Sequence, residues 1–196
     1  LAIINGYCPD ILKIRAEELN FKDKYDFAFS INVMEHVDDI SGVINKVNMS
    51  LKSKAVYRFV CPNYSFPYEP HFNIPILFSK KFTEYIFKNK IFNNSSIPDS
   101  SETWNSINWI NTKIIRDEVK KNNFEVVFGQ ELLLKMLERA NNDPFFSSRR
   151  PSWLKYIFYL LVKTKFYKLT KYVPAKYQPI IDCTIYSSGY NKNVTN

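Results

Sequence analysis

Glycine and cysteine are both scarce in this chain of 196 residues, and each scarcity excludes a class of site. The four glycines, at positions 6, 42, 129 and 189, are isolated, so no segment can form a glycine-rich loop. The three cysteines, at positions 8, 61 and 183, are odd in number and include no C-x-x-C pair. No histidines lie beside them at zinc-ligand spacing. We therefore expect reduced, buried thiols in a cytoplasmic protein, and no metal site.

Long apolar runs are also missing, even from the C-terminal part of the chain, which is rich in apolar and aromatic residues. In the aromatic-rich segment Ser152–Val173, the longest uninterrupted run is Tyr156–Val162, which has seven residues. A spanning helix needs roughly 20. The first ten residues also lack the basic start of a signal peptide. The sequence therefore predicts neither a membrane span nor a targeting segment.

What the chain does contain predicts one globular domain with a localised positive charge. Hydrophobic residues make up 45% of the chain and aromatic residues 16%, which is enough for a sizeable core. The net charge is +8. Between positions 144 and 181 there are eight basic residues and no acid, so the rest of the chain is balanced at 19 basic and 19 acidic residues. The charge excess belongs to one segment.

The segment Lys24–Val37, KYDFAFSINVMEHV, predicts a buried strand followed by a polar turn. After Asp26 the strand is apolar on both faces, which is typical of a parallel sheet covered by helices on each side. In open parallel sheets, ligands bind beyond the carboxyl ends of the strands. We therefore expect chemistry at the end of this strand and in the turn that follows it. The residues concerned are Ser30, Ile31, Asn32, Met34, Glu35 and His36.

The flanking segments predict an α/β domain. Ile11–Ala16 predicts a strand, and Asp38 and Asp39 predict the cap of a helix with apolar positions 40, 43, 44, 47 and 51. Ala55–Cys61 predicts a second strand that a Pro-Asn pair ends. A strand, a helix and a strand in this order predict a right-handed parallel crossover.

The segment 64–76, YSFPYEPHFNIPI, predicts an ordered loop rather than a helix or a strand, because it has three prolines and no regular period. The loop follows the end of a strand and should lie over the same crevice. Further helices are predicted at 77–89, 112–122 and 130–140, with a polar connection at 93–102. Strands are predicted at 124–128 and 179–186.

The order AEEL, then KYDFAFSINVMEHV, then a helix, then a strand ending in CPN resembles the class I S-adenosylmethionine-dependent methyltransferases. The resemblance covers Ile11–Asn63, with weaker agreement as far as Tyr186. It implies a Rossmann-like methyltransferase sheet flanked by helices, with a helical C-terminal insertion before the last strand. The domain divides into a cofactor-side core at 11–63, a substrate loop at 64–76, a basic helical insertion at 130–178 and a last strand at 179–187.

The resemblance also assigns roles to individual residues. Ala16 and Glu17 would contact the adenine ring of S-adenosylmethionine, and Ser30, Ile31 and Asn32 would form the floor under its methionine part. Glu35 and His36 would face the transferred methyl group, together with Glu69 and His71 of the loop. His36 and His71 are the two histidines of the chain. The PYEPHF motif is similar to that of a subset acting on sugars or cell-surface polysaccharide precursors.

The family's first two strands and its glycine-rich loop have no counterpart here, and the resemblance places them before the region it matches. We therefore expect an N-terminally truncated methyltransferase that binds its cofactor poorly and is inactive alone. The expected function of the whole enzyme is methyl transfer to a small hydroxyl-bearing acceptor. The alternative is a non-catalytic fragment that acts as a binding or membrane-surface docking module.

Each proposed site residue also has a structural interpretation. His36 could satisfy hydrogen bonds at a helix end, and Glu35 could be a solvated acid at a helix start. Glu69 and His71 could belong to a loop that its own aromatic residues hold in place. The segment 152–173 could lie on an anionic bilayer, which would make the protein membrane-peripheral, or pack as an insertion with a lysine-rich outer face. Nucleic acid is not an expected partner, because no recognised binding module surrounds the segment.

Overall fold

The computed structural model describes residues 10–143 and 152–187. In these ranges the chain forms a four-stranded sheet flanked by helices, together with a two-stranded hairpin. The strands are β1 (Tyr25–Ile31), β2 (Leu51–Pro62), β3 (Tyr68–Glu69), β4 (Ile74–Pro75), β5 (Glu125–Phe128) and β6 (Ile180–Tyr186). The helices are α1 (Ile40–Ser50), α2 (Lys80–Phe92), α3 (Ser100–Ser106), α4 (Thr112–Lys121), α5 (Leu132–Asn142) and α6 (Ser152–Lys163). The predicted α/β class is confirmed.

The main sheet has the strand order β1-β2-β6-β5. β1 and β2 are parallel, as the strand, helix, strand pattern predicts, and Ile31 lies opposite Val60 near their carboxyl ends. The last strand, β6, lies between β2 and β5 and is antiparallel to both. Arg58 of β2 reaches across to Asp182 of β6 with two hydrogen bonds of 2.9 and 2.8 Å. The C-terminal strand is therefore at the centre of the described sheet.

Helix α1 begins where the sequence predicts, because the Asp39 side chain accepts a hydrogen bond of 2.9 Å from the Gly42 N–H. Its residues Val43 and Ile44 are buried. The core that they enter contains Phe59, Cys61, Cys183 and Ile185 of the central strands, Ile115 and Val119 of α4, and Trp104 of α3. Cys61 and Cys183 are free and buried, as predicted, and Cys8 lies outside the described residues.

The predicted strand at Ile11–Ala16 is wrong. Residues 11–15 have no regular structure, and a 3-10 turn follows at Ala16–Glu18. Ile11, Leu12 and Ile14 are about half exposed, and no strand of the described ranges pairs with them. A strand forms only where a neighbour supplies its hydrogen bonds, so an apolar run without a partner stays irregular.

Burial of β1 on both faces is wrong as well. β1 is an edge strand that pairs with β2, and its outward side chains Phe27, Phe29 and Ile31 are 52, 69 and 62% exposed. An apolar pattern on both faces predicts cover on both faces, but within the described ranges no element covers this one.

Two further segments differ from prediction. The loop 64–76 contains a minimal hairpin, because Tyr68 pairs with Pro75 and Glu69 pairs with Ile74. The polar connection predicted at 93–102 ends in helix α3, which Asp99 caps by accepting a hydrogen bond of 2.9 Å from the Glu102 N–H. Its buried residue Trp104 anchors the helix to the core.

The basic segment forms helix α6 followed by 3-10 turns at Phe166–Tyr172 and Ala175–Tyr177. Part of the predicted insertion, residues 144–151, lies outside the described residues. None of the described helices has the length and apolar character that crossing a membrane requires.

Candidate functional site

The turn after β1 brings polar residues to the carboxyl end of the parallel strands. Asn32 leaves the strand with a left-handed φ of 54°, and its N–H donates to the Val60 carbonyl at 2.8 Å. The chain then turns inward, so that Met34 and Glu35 have no exposed surface. The side chain of Tyr57 supports the turn by donating a hydrogen bond of 3.2 Å to the Met34 sulfur. Met34 and Glu35 thus belong to the core, while Asn32 and Val33 of the same turn are exposed.

Asn108, which follows α3, holds this turn from the other side. Its side-chain amide donates to the carbonyls of Met34 and Val37, both at 2.8 Å, and its backbone N–H donates to the Glu35 carbonyl at 2.9 Å. Its side-chain oxygen accepts a hydrogen bond of 3.1 Å from the Ile110 N–H. One asparagine therefore fixes the backbone that carries Glu35 and His36.

His36 is oriented by Ser106, the last residue of α3. The Ser106 hydroxyl donates to the Thr103 carbonyl at 2.9 Å, and Ser106 Oγ lies 2.8 Å from His36 Nδ1. Because a hydroxyl has one proton to donate, the serine oxygen accepts from His36 Nδ1–H. The neutral imidazole therefore keeps its lone pair on Nε2.

His71 is oriented in the same way by Glu69. Glu69 has no exposed surface, and its Oε1 lies 2.6 Å from His71 Nδ1. The carboxylate also accepts hydrogen bonds from the backbone N–H groups of His71 and Phe72 and from the Tyr64 hydroxyl. Glu69 therefore holds the hairpin and directs the Nε2 atom of His71 away from itself.

These contacts bring all four predicted catalytic residues together. The rings of His36 and His71 lie 5.2 Å apart between centroids, and His36 Nε2 lies 4.0 Å from Glu35 Oε1. The two imidazoles are partly exposed, while Glu35 is buried. Neither carboxylate oxygen of Glu35 accepts a hydrogen bond from any residue that the structure describes. Glu35 is therefore not a solvated acid at a helix start.

The burial of the cluster changes the pKa of three of its groups. Burial raises the pKa of Glu35 because the ionised form loses its hydration. Burial also lowers the pKa of His36, and the nearby His71 lowers it further. The pKa of His71 is raised, since burial lowers it but the hydrogen bond from its ring to Glu69 and the charges of Glu69 and Glu35 outweigh that effect. His36 is thus the histidine that is held neutral.

A cleft of about 340 Å³ opens beside His36. Its walls contain three of the five residues predicted to bind cofactor, Ala16, Glu17 and Asn32, together with Arg15, Val33 and Val37. Glu17 accepts a hydrogen bond of 3.2 Å from the Asp38 N–H, and Arg15 pairs with the Asp38 carboxylate. These contacts join the 3-10 turn to the beginning of α1.

The other two predicted cofactor residues do not line this cleft. The Ser30 hydroxyl bonds to the Tyr57 hydroxyl at 2.9 Å, and Ile31 is 62% exposed on the outer face of β1. Sequence reasoning missed Asn108 and Ser106, which position the turn and His36. The one signal for Asn108 was an asparagine inside an apolar run, INWI, and a polar residue in such a position needs buried partners.

Comparison with known proteins finds a relative by sequence and solved structures with a similar fold. No protein-family model matches the chain. An uncharacterized protein of Mycobacterium tuberculosis, found in two strains, is 41% identical over 175 residues. The alignment covers 89% of this chain and 60% of the relative, so the chain spans less than two thirds of the relative's length.

Among solved structures, an S-adenosylmethionine-dependent methyltransferase from Mesorhizobium loti matches with a TM-score of 0.50 and 9% identity, over 88% of this chain and 67% of that one. A phosphoethanolamine N-methyltransferase 2 from Haemonchus contortus, solved with S-adenosyl-L-methionine, matches with a TM-score of 0.40 and 16% identity, over 88% of this chain and 35% of that one. The likeness to the M. loti structure shows that the chain has a methyltransferase fold.

Proposed function

We propose that the protein transfers the methyl group of S-adenosylmethionine to a small hydroxyl-bearing acceptor, of the class of sugars and cell-surface polysaccharide precursors. The observation that carries the proposal is the position of the Glu35, His36, Glu69 and His71 cluster. It lies at the carboxyl ends of parallel strands β1 and β2, beside the cleft lined by Ala16, Glu17 and Asn32. The methyltransferase fold supports the choice of reaction.

The reaction asks for positioning and for one base. The sulfonium of the cofactor is already a good electrophile, so the protein must hold an acceptor oxygen in line with the methyl group. A hydroxyl must also lose its proton, and a positioned base contributes about 10²–10⁴-fold to such a step. His36 suits this role because Ser106 fixes its tautomer and burial lowers its pKa. Its Nε2 faces the cluster and carries the lone pair.

The cofactor part of the proposal is tested by calorimetry of the full-length protein with S-adenosylmethionine. Asn32→Gly removes the side chain that lines the cleft and keeps the left-handed backbone, so we expect it to weaken binding. Asn105→Ala, at an exposed position of α3, is the matched control. Absence of binding heat with the unmutated protein would refute the cofactor assignment.

The catalytic part is tested by methyl transfer from labelled cofactor to sugar acceptors. His36→Gln should lower kcat about 10²–10⁴-fold while the affinity for S-adenosylmethionine stays within a few-fold. An equal kcat in the variant would remove His36 from the mechanism. Methylation of amines, with no methylation of hydroxyl-bearing acceptors, would contradict the acceptor class.

A second candidate function is docking to an anionic membrane surface through residues 152–173. Apolar and aromatic side chains are exposed here, among them Tyr156, Tyr159, Phe166 and Tyr172. Exposed lysines accompany them at positions 163, 165, 168 and 171. Aromatic side chains at the interface and lysines near acidic headgroups are the two contributions that hold a peripheral protein on a bilayer.

Co-sedimentation with vesicles tests this docking. We expect the protein to pellet with vesicles rich in phosphatidylserine and not with neutral phosphatidylcholine vesicles. Changing Lys163, Lys165, Lys168 and Lys171 to Gln should abolish pelleting, since each basic residue near an anionic surface contributes about 1 kcal/mol. Changing four exposed lysines elsewhere to Gln, Lys81 and Lys88 of α2 and Lys113 and Lys120 of α4, is the control for total charge. Equal pelleting of the four-lysine variant and the unmutated protein would exclude this surface.

A further inference from the structure

Three potential metal ligands converge in the cluster. Glu35, His36 and His71 each offer one ligand atom, and these atoms lie within 4.8 Å of one another. The residues come from two separate segments, the turn after β1 and the hairpin β3-β4, so their proximity is a result of the fold and not of sequence spacing. Two imidazoles and one carboxylate form a ligand set that proteins use for divalent zinc and iron.

The hydrogen bonds around the cluster prepare both histidines to bind a cation. Ser106 holds His36 through Nδ1, and the buried carboxylate of Glu69 holds His71 through Nδ1. Metal-binding histidines commonly have one ring nitrogen on the metal and the other on an oriented oxygen acceptor, frequently a carboxylate. In the neutral form of each ring, the lone pair is therefore on Nε2. Neither hydrogen bond uses Nε2, and Nε2 of His36 lies 4.0 Å from Glu35 Oε1.

The burial of Glu35 is a second observation, independent of the ligand spacing, that points to a bound cation. Its side chain has no exposed surface, and neither of its oxygens has a hydrogen-bond partner among the described residues. A buried carboxylate without a partner is costly, and proteins pair such groups or place them on metal ions. Glu69, the other buried carboxylate of the cluster, has its oxygens satisfied by four donors. A dication would neutralise the charge of the two carboxylates.

We propose that Glu35, His36 and His71 bind a divalent transition-metal ion, with Glu69 and Ser106 orienting the two imidazoles. Zinc ligands lie about 2.0–2.2 Å from the ion, so tetrahedral ligand atoms are about 3.4 Å apart. The ligand atoms, which lie within 4.8 Å of one another, would therefore have to approach by up to about 1.4 Å through rotation of the three side chains. The partly exposed rings leave the remaining coordination positions on the solvent side.

The metal site is argued from its own geometry and does not depend on the proposed function. If the proposed methyl transfer holds, the ion would take part in activating the acceptor. The ion would then replace His36 as the activating group, because His36 Nε2 would be a ligand and no longer a proton acceptor. A bound dication lowers the pKa of a coordinated oxygen, so an acceptor hydroxyl on the open position would release its proton to solvent before it takes the methyl group. Titration with the ion measures metal binding and the labelled-cofactor assay measures methyl transfer, so failure of one is distinguishable from failure of the other.

The test is a titration of the full chain, freed of metal with a chelator, with Zn²⁺ and with Co²⁺. We expect one ion per chain, and a visible Co²⁺ spectrum of low-symmetry nitrogen and oxygen ligands without the charge-transfer band of a thiolate. Glu35→Gln and His71→Gln should each lower the affinity at least 100-fold. Ser106→Ala should lower it about 10-fold, in the range observed for residues that orient a ligand.

Glu138→Gln, at an exposed position of α5, is the matched control and should bind the ion as the unmutated chain does. Unchanged affinity in both the Glu35 and the His71 variants, or a thiolate band in the Co²⁺ spectrum, would overturn the proposal. Absence of stoichiometric binding by the unmutated chain would overturn it as well.

Thermal unfolding distinguishes a variant that does not bind the ion from a variant that does not fold. Without metal, Glu35→Gln should melt at or above the temperature of the unmutated chain, because it removes a buried, unpaired charge. With Zn²⁺ in excess, the unmutated chain should melt at a higher temperature and the variant should not. An equal zinc-induced rise in both proteins would place the ion elsewhere and refute the site.

Discussion

Replacing Asn108 with alanine tests whether one residue holds the functional turn. The side chain makes three hydrogen bonds, to the carbonyls of Met34 and Val37 and from the N–H of Ile110. Met34, Val37 and Ile110 are all buried, so water does not replace the lost partner freely. The substitution leaves two acceptors and one donor unsatisfied without creating a large cavity.

The expected loss follows from the number of bonds. A buried hydrogen bond contributes about 1 kcal/mol net, and the unpaired groups cost up to about 3 kcal/mol each. Three bonds therefore predict a decrease of at least about 3 kcal/mol in the free energy of unfolding. For a chain of this length, about 2–4 °C in Tm accompanies each 1 kcal/mol, so Tm should fall by about 6–12 °C.

Urea denaturation followed by circular dichroism measures the change, and a constant m-value shows that the midpoint reports stability. Asn108→Asp keeps the acceptor for Ile110 but loses both donors, so it should be at least as unstable as the alanine variant. Asn105→Ala, on the exposed side of α3, should change the free energy of unfolding by less than about 0.5 kcal/mol. A loss below about 1 kcal/mol in Asn108→Ala would show that the turn is held by other contacts.

Three further predictions concern residues of the main sheet. Phe59→Ala should cost about 3–5 kcal/mol because Phe59 has no exposed surface, while Phe29→Ala, 69% exposed on the outer face of β1, should cost under about 1 kcal/mol; equal losses would contradict the described burial. Arg58→Met should cost about 1.5–3 kcal/mol because it unpairs the nearly buried Asp182, and a neutral result in urea denaturation would show that water replaces the ion pair. Burial raises the pKa of the thiols of Cys61 and Cys183, so neither should react with iodoacetamide until the chain unfolds, and peptide mass mapping of labelled native protein reads this directly.

The sequence predicted those elements whose signals are local. Helix α1 has its capping aspartate and its apolar spacing in one continuous segment, and its structure begins at Ile40 as expected. Strands β1 and β2 are rich in β-branched and aromatic residues, and their parallel pairing follows from the helix between them. The segments that follow their carboxyl ends contain the four residues of the cluster. These segments could be predicted to contain the site because ligands bind beyond the carboxyl ends of parallel strands.

What could not be predicted depends on partners far along the chain. Ile11–Ala16 has the composition of a strand, but whether it forms one is decided by a neighbour. Helix α3 is too short for a periodic pattern, and its cap, Asp99, has a left-handed φ of 46° that sequence does not indicate. The roles of Ser106 and Asn108 arise from contacts across about 70 residues, to His36 and to the turn at Met34–Val37.

The central position of β6 has a consequence for folding during synthesis. Arg58 and Asp182, which join β2 to β6, are separated by 124 positions in the chain. On a ribosome, β2 and β5 emerge early but have no common partner until Ile180–Tyr186 has been synthesised. Contacts of this separation close slowly because the loop entropy is lost before the strand pairs form. Until then, the apolar rows of β2 and β5 are open to wrong pairing, so the nascent chain should depend on chaperones until β6 has emerged.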